Sequence, residues 1–174
     1  MQPFARLTLL SALLLSVAAC GGRSEAPTLP DGKKLTVMVY IDGAPAGGGD
    51  TAKMEQVETV VDWMKPDLVQ VLKNAGYDAG AVADPNTPVG PGSYLLRVQI
   101  LEYRGGSKAA RMFVGFGAGA ASLNTHFELI GAGNKSYVSG SPGAGTSRVD
   151  WQHLARKANL EITDSVNARL HQSL

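Results

Sequence analysis

The sequence predicts an α+β domain: a two-layer sandwich in which two helices cover a mixed, mostly antiparallel sheet of about four strands, in the order β-α-β-β-β-α. Three observations predict it. Residues 51–75 and 151–170 carry apolar side chains at three- and four-residue steps, the signature of a helix with one buried stripe. The segments around 35–41, 94–103 and 111–130 read as strands. The 174 residues are 44% hydrophobic and 18% charged, which suits one sizeable core and excludes wholesale disorder. A helical stripe and a sheet face bury each other most simply as two layers.

The first strand, Leu35 to Ile41, is apolar on both faces, so it is expected to be central and buried on both sides. A loop follows, with Asp42-Gly43-Ala44-Pro45 and Gly47-Gly48-Gly49. Asp50 or Thr51 caps a helix to about Ala75, striped by Val57, Val60, Val61, Met64, Leu68, Val71 and Leu72. Gly76 stands where a left-handed C-cap belongs, and Pro66 is expected to kink or restart the helix. Residues 78–93, with Pro85, Pro88 and Pro91, read as a loop. In the next strand, Tyr94 to Tyr103, Tyr94, Leu96, Val98 and Ile100 take one face, and Arg97 and Gln99 the other. A second extended segment runs from Arg111 to about Ile130, then a turn at 131–134 and a short strand at 136–139. Asp150 caps the closing helix, striped by Trp151, Leu154, Ala155, Ala158, Ile162, Val166 and Leu170.

The N-terminus has a different character. A short region with Arg6 as its one charge precedes an eleven-residue apolar run, Leu7 to Val17, too short to span a bilayer. It ends in Val17-Ala18-Ala19-Cys20, which resembles a bacterial lipobox. That resemblance implies a signal peptide at 1–19, a thioether-linked diacylglycerol on Cys20 and acylation of its new amine. Residues 20–33, GGRSEAPTLPDGK after the cysteine, read as a lipidated tether, and 34–174 as the domain. Loss of Arg6 brings the 16 basic and 15 acidic residues into balance. A neutral body has no electrostatic footprint for nucleic acid, and its hold on a membrane must come from acyl chains. Gly21, where aspartate would signal inner-membrane retention, points to the outer membrane facing the periplasm.

The run Gly115-Phe116-Gly117-Ala118-Gly119 invites a nucleotide-binding reading, which fails on three counts. Ala120 stands at the third glycine of the dinucleotide fingerprint, residues 122–130 alternate as a strand, and no Gly-Lys-Ser/Thr follows. As a strand, the run places Gly115, Gly117 and Gly119 on one face, with Phe113 and Leu123 at its ends. Bare backbone of this kind costs stability unless something approaches closely. Either a bulky side chain, Trp63 or Trp151, lies over the strip, or Phe113, Gly115, Phe116, Gly117 and Gly119 form an interaction surface. With the lipobox, the leading strand, Leu72 to Tyr77 and above all Arg111 to Ala120, the sequence resembles a family of uncharacterised bacterial lipoproteins, domain of unknown function 4410. The resemblance brings no activity and no catalytic residues.

No catalytic constellation stands out. His126, His153 and His171 lack metal-site spacing, and neither a G-x-S-x-G elbow nor a Ser/His/Asp triad can be assembled. His126 and Glu128 share a strand face with Ser122 and Asn124, which reads as a solvated sheet face. Asp42 and Asp50 read as turn and capping residues. The sequence therefore predicts a non-enzymatic, lipid-anchored envelope protein without metal or cofactor. It would act through an envelope protein partner or as a homo-oligomer, or else as a binding module for a small envelope ligand such as a cell-wall fragment or lipid.

Overall fold

The computed structural model describes residues 25–43, 51–105, 120–146 and 150–173. Among them are six strands and two long helices: β1 (Thr36–Asp42), α1 (Thr51–Asn74), β2 (Asp78–Ala81), β3 (Ser93–Arg104), β4 (Ala121–Gly131), β5 (Lys135–Gly140), β6 (Gly143–Thr146) and α2 (Trp151–Ser173). The α+β class and mixed sheet are as expected, but the strands outnumber the four read from sequence. β2 and β6 are the additions, one at the start of the 78–93 loop and one in the loop before α2.

The sheet order is β2-β1-β3-β4-β5, and β6 also pairs with β4. β1 lies between β2 and β3 and is parallel to both, whereas β4 is antiparallel to β3, β5 and β6. With β3 on one side of β4, β5 and β6 share the other as one line broken at Ser141-Pro142. Thr125 bridges the break, its N–H donating to the Pro142 carbonyl at 3.1 Å and its hydroxyl at 3.2 Å.

Both helices lie on one face, against Val37, Val39, Leu96, Val98, Ile100, Leu123, Phe127 and Leu129, all buried. They run parallel: Trp63 meets Trp151 edge to face at 5.8 Å, Asp67 pairs with Arg156, and Tyr77 beyond the end of α1 meets Asn167. The tryptophans thus pack on each other, and the glycine strip expected beneath one of them lies outside the described residues. A polar latch sits within this helical contact. The Asn159 amide donates to the Met64 carbonyl at 3.1 Å and to the Asp67 carboxylate at 2.8 Å. Tyr77 donates to Asn167 at 2.5 Å. Burial, with Tyr94 nearby, pushes the Tyr77 phenol well above its ordinary pKa, because the charged form would lose its water.

Local chemistry accounts for the element ends. α1 passes through Pro66 as one helix, rather than restarting there. The missing N–H deprives only the carbonyl of the exposed Asp62, where water can substitute. At the other end, Gly76 (φ +108°) completes a Schellman cap, with Gly76 N–H to Lys73 O at 3.0 Å and Tyr77 N–H to Leu72 O at 3.1 Å. Asp150 accepts from the His153 N–H at 3.3 Å and caps α2.

Two expectations need correction. β1 is central, but only one of its faces is buried; Thr36, Met38, Tyr40 and Asp42 are half-exposed, because both helices lie on the opposite side. The stretch read as tether, 20–33, is docked from Glu25 onward. Ala26 N–H donates to the Ala75 carbonyl at 2.6 Å, His171 Nε2 meets the Glu25 carbonyl at 2.7 Å, and Ala26 and Leu29 pack on the core. Ala26 lies beside Gly76 at the end of α1 and Leu29 against Gly92 at the start of β3, contacts that a free tether would not make.

Candidate functional site

The open face of the sheet carries the polar half of each alternating strand. Register places Tyr40 beside Arg97 and Arg97 beside Glu128; two residues further on, Asp42 lies beside Gln99 and Gln99 beside His126. Side chains on adjacent strands at one register position stand about 5 Å apart. These six residues therefore form two short rows of hydrogen-bonding groups across β1, β3 and β4. His126 and Glu128 are half-exposed with Ser122 on this face, and Asn124 is exposed, as the alternation predicts.

Arg97 turns the rows into a cleft. Its Nε donates to the Pro85 carbonyl at 2.6 Å and an Nη to Asn86 Oδ1 at 3.3 Å, so the proline-rich loop is drawn over the sheet. A turn shapes that loop: Asp84 Oδ1 accepts from the Asn86 N–H at 2.8 Å and the Asp84 carbonyl accepts from the Thr87 hydroxyl at 2.7 Å. Pro85 and Asn86 make one wall, and the floor is Tyr40, Asp42, Arg97, Val98, Gln99, His126 and Glu128. The open cleft has a volume of about 290 Å³, near the lower end for small-ligand sites.

Its chemistry is recognition by hydrogen bonds. Arg97 and the Gln99 and Asn86 amides supply donors, while Glu128 and Asp42 supply acceptors and Tyr40 a ring. His126 Nδ1 lies 3.0 Å from the Ser141 hydroxyl. Among the described residues no carboxylate is hydrogen-bonded to its other ring nitrogen, the contact that orients a catalytic base. Nor does any group of three His, Cys, Asp or Glu side chains among them come together to hold a metal ion.

Of the residues singled out in the sequence, Asp42, His126 and Glu128 line the cleft. Cys20, Phe113, Gly115, Phe116, Gly117 and Gly119 lie outside the described residues, as does Asp50. His153 and His171 are exposed on α2, and the structure brings neither to the cleft. Tyr40 was hidden from sequence reasoning inside a strand that looks apolar on both faces, and Asp42, read as a turn residue, is instead the last residue of β1. The signal that was available is the charged alternation of Arg97, Gln99, His126 and Glu128.

A mixed sheet with two parallel helices on one face and a polar cleft on the other defines a two-layer α+β domain. The chain belongs to the family described as Domain of unknown function (DUF4410), whose model matches residues 25–149. No curated protein matches the sequence. Among solved structures the fold is similar to PelC from Paraburkholderia phytofirmans, described as a dodecamer, with 16% identity, a TM-score of 0.50, and coverage of 84% of this chain and 95% of that one. A Xanthomonas campestris protein of the DUF330 family is similar at 13% identity and a TM-score of 0.43, covering 86% of this chain and 93% of that one. No helix among the described residues is long and apolar enough to cross a membrane.

Proposed function

We propose that the protein is a lipid-anchored, non-enzymatic component of the bacterial envelope that works by assembling with other proteins, above all with copies of itself. Cys20 would carry the lipid, and the domain would face the periplasm from the outer membrane. The observation that carries assembly is the likeness of the fold, over 84% of the chain, to a subunit of a dodecamer. The sheet is built in a way that suits it: among the described strands, β2 and the β5–β6 line are the edges, each offering a row of backbone groups to another chain. Among the described residues, the large apolar side chains left exposed, Met54 and Leu101, are suited to contact rather than solvent. The test is the native mass of the full-length protein gently extracted from its own membrane. An integer multiple of the acylated chain is expected; an acylated monomer over a wide concentration range would defeat the proposal.

The cleft favours a second reading, a binding module for a small polar ligand. Under it, the extracted protein retains a small molecule, and Arg97→Ala, which frees the Pro85–Asn86 wall, loses it. Extraction of ligand-free protein from several growth conditions would argue against this reading.

A further inference from the structure

The docked segment at 25–34 fixes where the chain enters the domain, and that has a consequence for the membrane. Residues 25–34 lie along the pole formed by the C-terminal ends of both helices and the start of β1. Ala26 is tied to Ala75, just past α1, and Glu25 to His171 in the last turn of α2. Thr28 bridges to Lys34, and Leu29 lies against Gly92 at the start of β3. Cys20 precedes Glu25 by five residues, a span of at most about 18 Å even when fully extended. A lipid on Cys20 therefore leaves this pole little freedom to turn away from the bilayer. α1 has 24 residues and extends about 36 Å, so its far end, where Met54 is exposed, cannot occupy the same position.

The chemistry of the pole fits a headgroup surface. Lys34 and Lys73 border one hollow with Tyr77 and Asp78. The exposed Lys135, its ammonium 5.2 Å from the Tyr137 ring, opens β5 opposite Gly131, at the end of β4 that pairs with the start of β3. Lys33 is also there, but its ammonium is occupied by Asp31 at 2.8 Å. Among the described residues of this end the other acids are Glu25 and Asp78, so Lys34, Lys73, Lys135 and Arg169 leave the described part of the pole cationic although the body as a whole is neutral. We infer that the helix C-terminal pole is the membrane-facing surface of the domain, with Lys34, Lys73 and Lys135 set against anionic lipid headgroups. The polar cleft and the N-terminal end of α1 are then held away from the bilayer. This rests on the lipid anchoring proposed above.

The sequence supplies the test. Cys20 is its one cysteine, and acylation blocks that thiol, so a single introduced cysteine becomes a unique labelling site. Full-length acylated Lys135→Cys and Met54→Cys variants, each with a thiol-reactive fluorophore, are reconstituted in vesicles of phosphatidylcholine with phosphatidylglycerol. A headgroup-attached quencher should dim the residue-135 label at least twofold more than the residue-54 label. Adding Lys34→Ala and Lys73→Ala should narrow that difference in anionic vesicles, with unchanged thermal unfolding showing that the fold is intact. Equal or reversed quenching in an acylated protein overturns the orientation alone. A contrast indifferent to the two lysines overturns the headgroup contact. A chain whose intact mass lacks acyl groups fails at the anchoring itself, and the inference falls with it.

Discussion

The two faces of the sheet follow different rules, although the same strands build both. On the helix side, Val37, Leu96, Leu123 and Leu129 are fully buried, and one polar latch, the buried Asn159 with Asp67, joins the two helices that cover them. On the open side, Tyr40, Arg97, Gln99, His126 and Glu128 remain half-exposed, and a single arginine holds a loop across them. The first face carries the stability, because buried apolar area scales with free energy. The second can vary with little cost to the fold, which is where recognition is expected to reside.

Mutations at matched depth should sharpen that contrast. Leu96→Ala, at a fully buried position in the middle of β3, should cost about 2–5 kcal/mol in denaturant unfolding, since the site is enclosed by helix and strand and cannot collapse well. Asp67→Ala leaves the buried Asn159 amide short of an acceptor and should cost about 1–3 kcal/mol by the same measurement. The latch also predicts a pH effect. The folded Tyr77 pKa is raised, so above about pH 10 the unfolded chain releases a proton that the folded one retains. Stability should therefore fall as pH rises through that range, less steeply in Tyr77→Phe. On the open face Glu128→Gln should move stability by no more than about 0.5 kcal/mol. Arg97→Ala should cost only about 1 kcal/mol, yet expose the 82–92 loop to limited proteolysis. A large loss of stability from Glu128→Gln would erase the distinction between the faces.

The helices and the long strands were legible because their side-chain periods are strong: the α1 stripe from Val57 to Leu72, the Gly76 cap and the alternation of β3 all appear where the spacing puts them. β2 was not legible. Its sequence, Asp78-Ala79-Gly80-Ala81, has no β-branched or aromatic residue. It is a strand because β1 offers partners: Asp78 N–H donates to Leu35 O and Val82 N–H to Val39 O, each at 2.9 Å. β6, Gly143 to Thr146, is drawn onto β4 in the same way. The cleft was half legible. Alternation exposes Arg97, Gln99, His126 and Glu128, but nothing local says that Arg97 will reach Pro85, twelve residues earlier. Nor does the apolar look of β1 reveal that Tyr40 and Asp42 face outward, since that depends on both helices choosing one side.

The placement of β1 also determines how the domain responds to a pull. Tension applied ahead of Glu25 passes through the bridged 28–34 turn and enters the sheet at Thr36. There the chain is gripped on both sides by parallel ladders, to Asp78–Ala81 and to Ser93–Gln99. To extract β1 along its own axis, the bonds of both ladders must slide together; they cannot open one after another from an end. Load delivered through the N-terminus is thus carried in shear by β1 and its two partners, and the distant β5–β6 line is left unstrained.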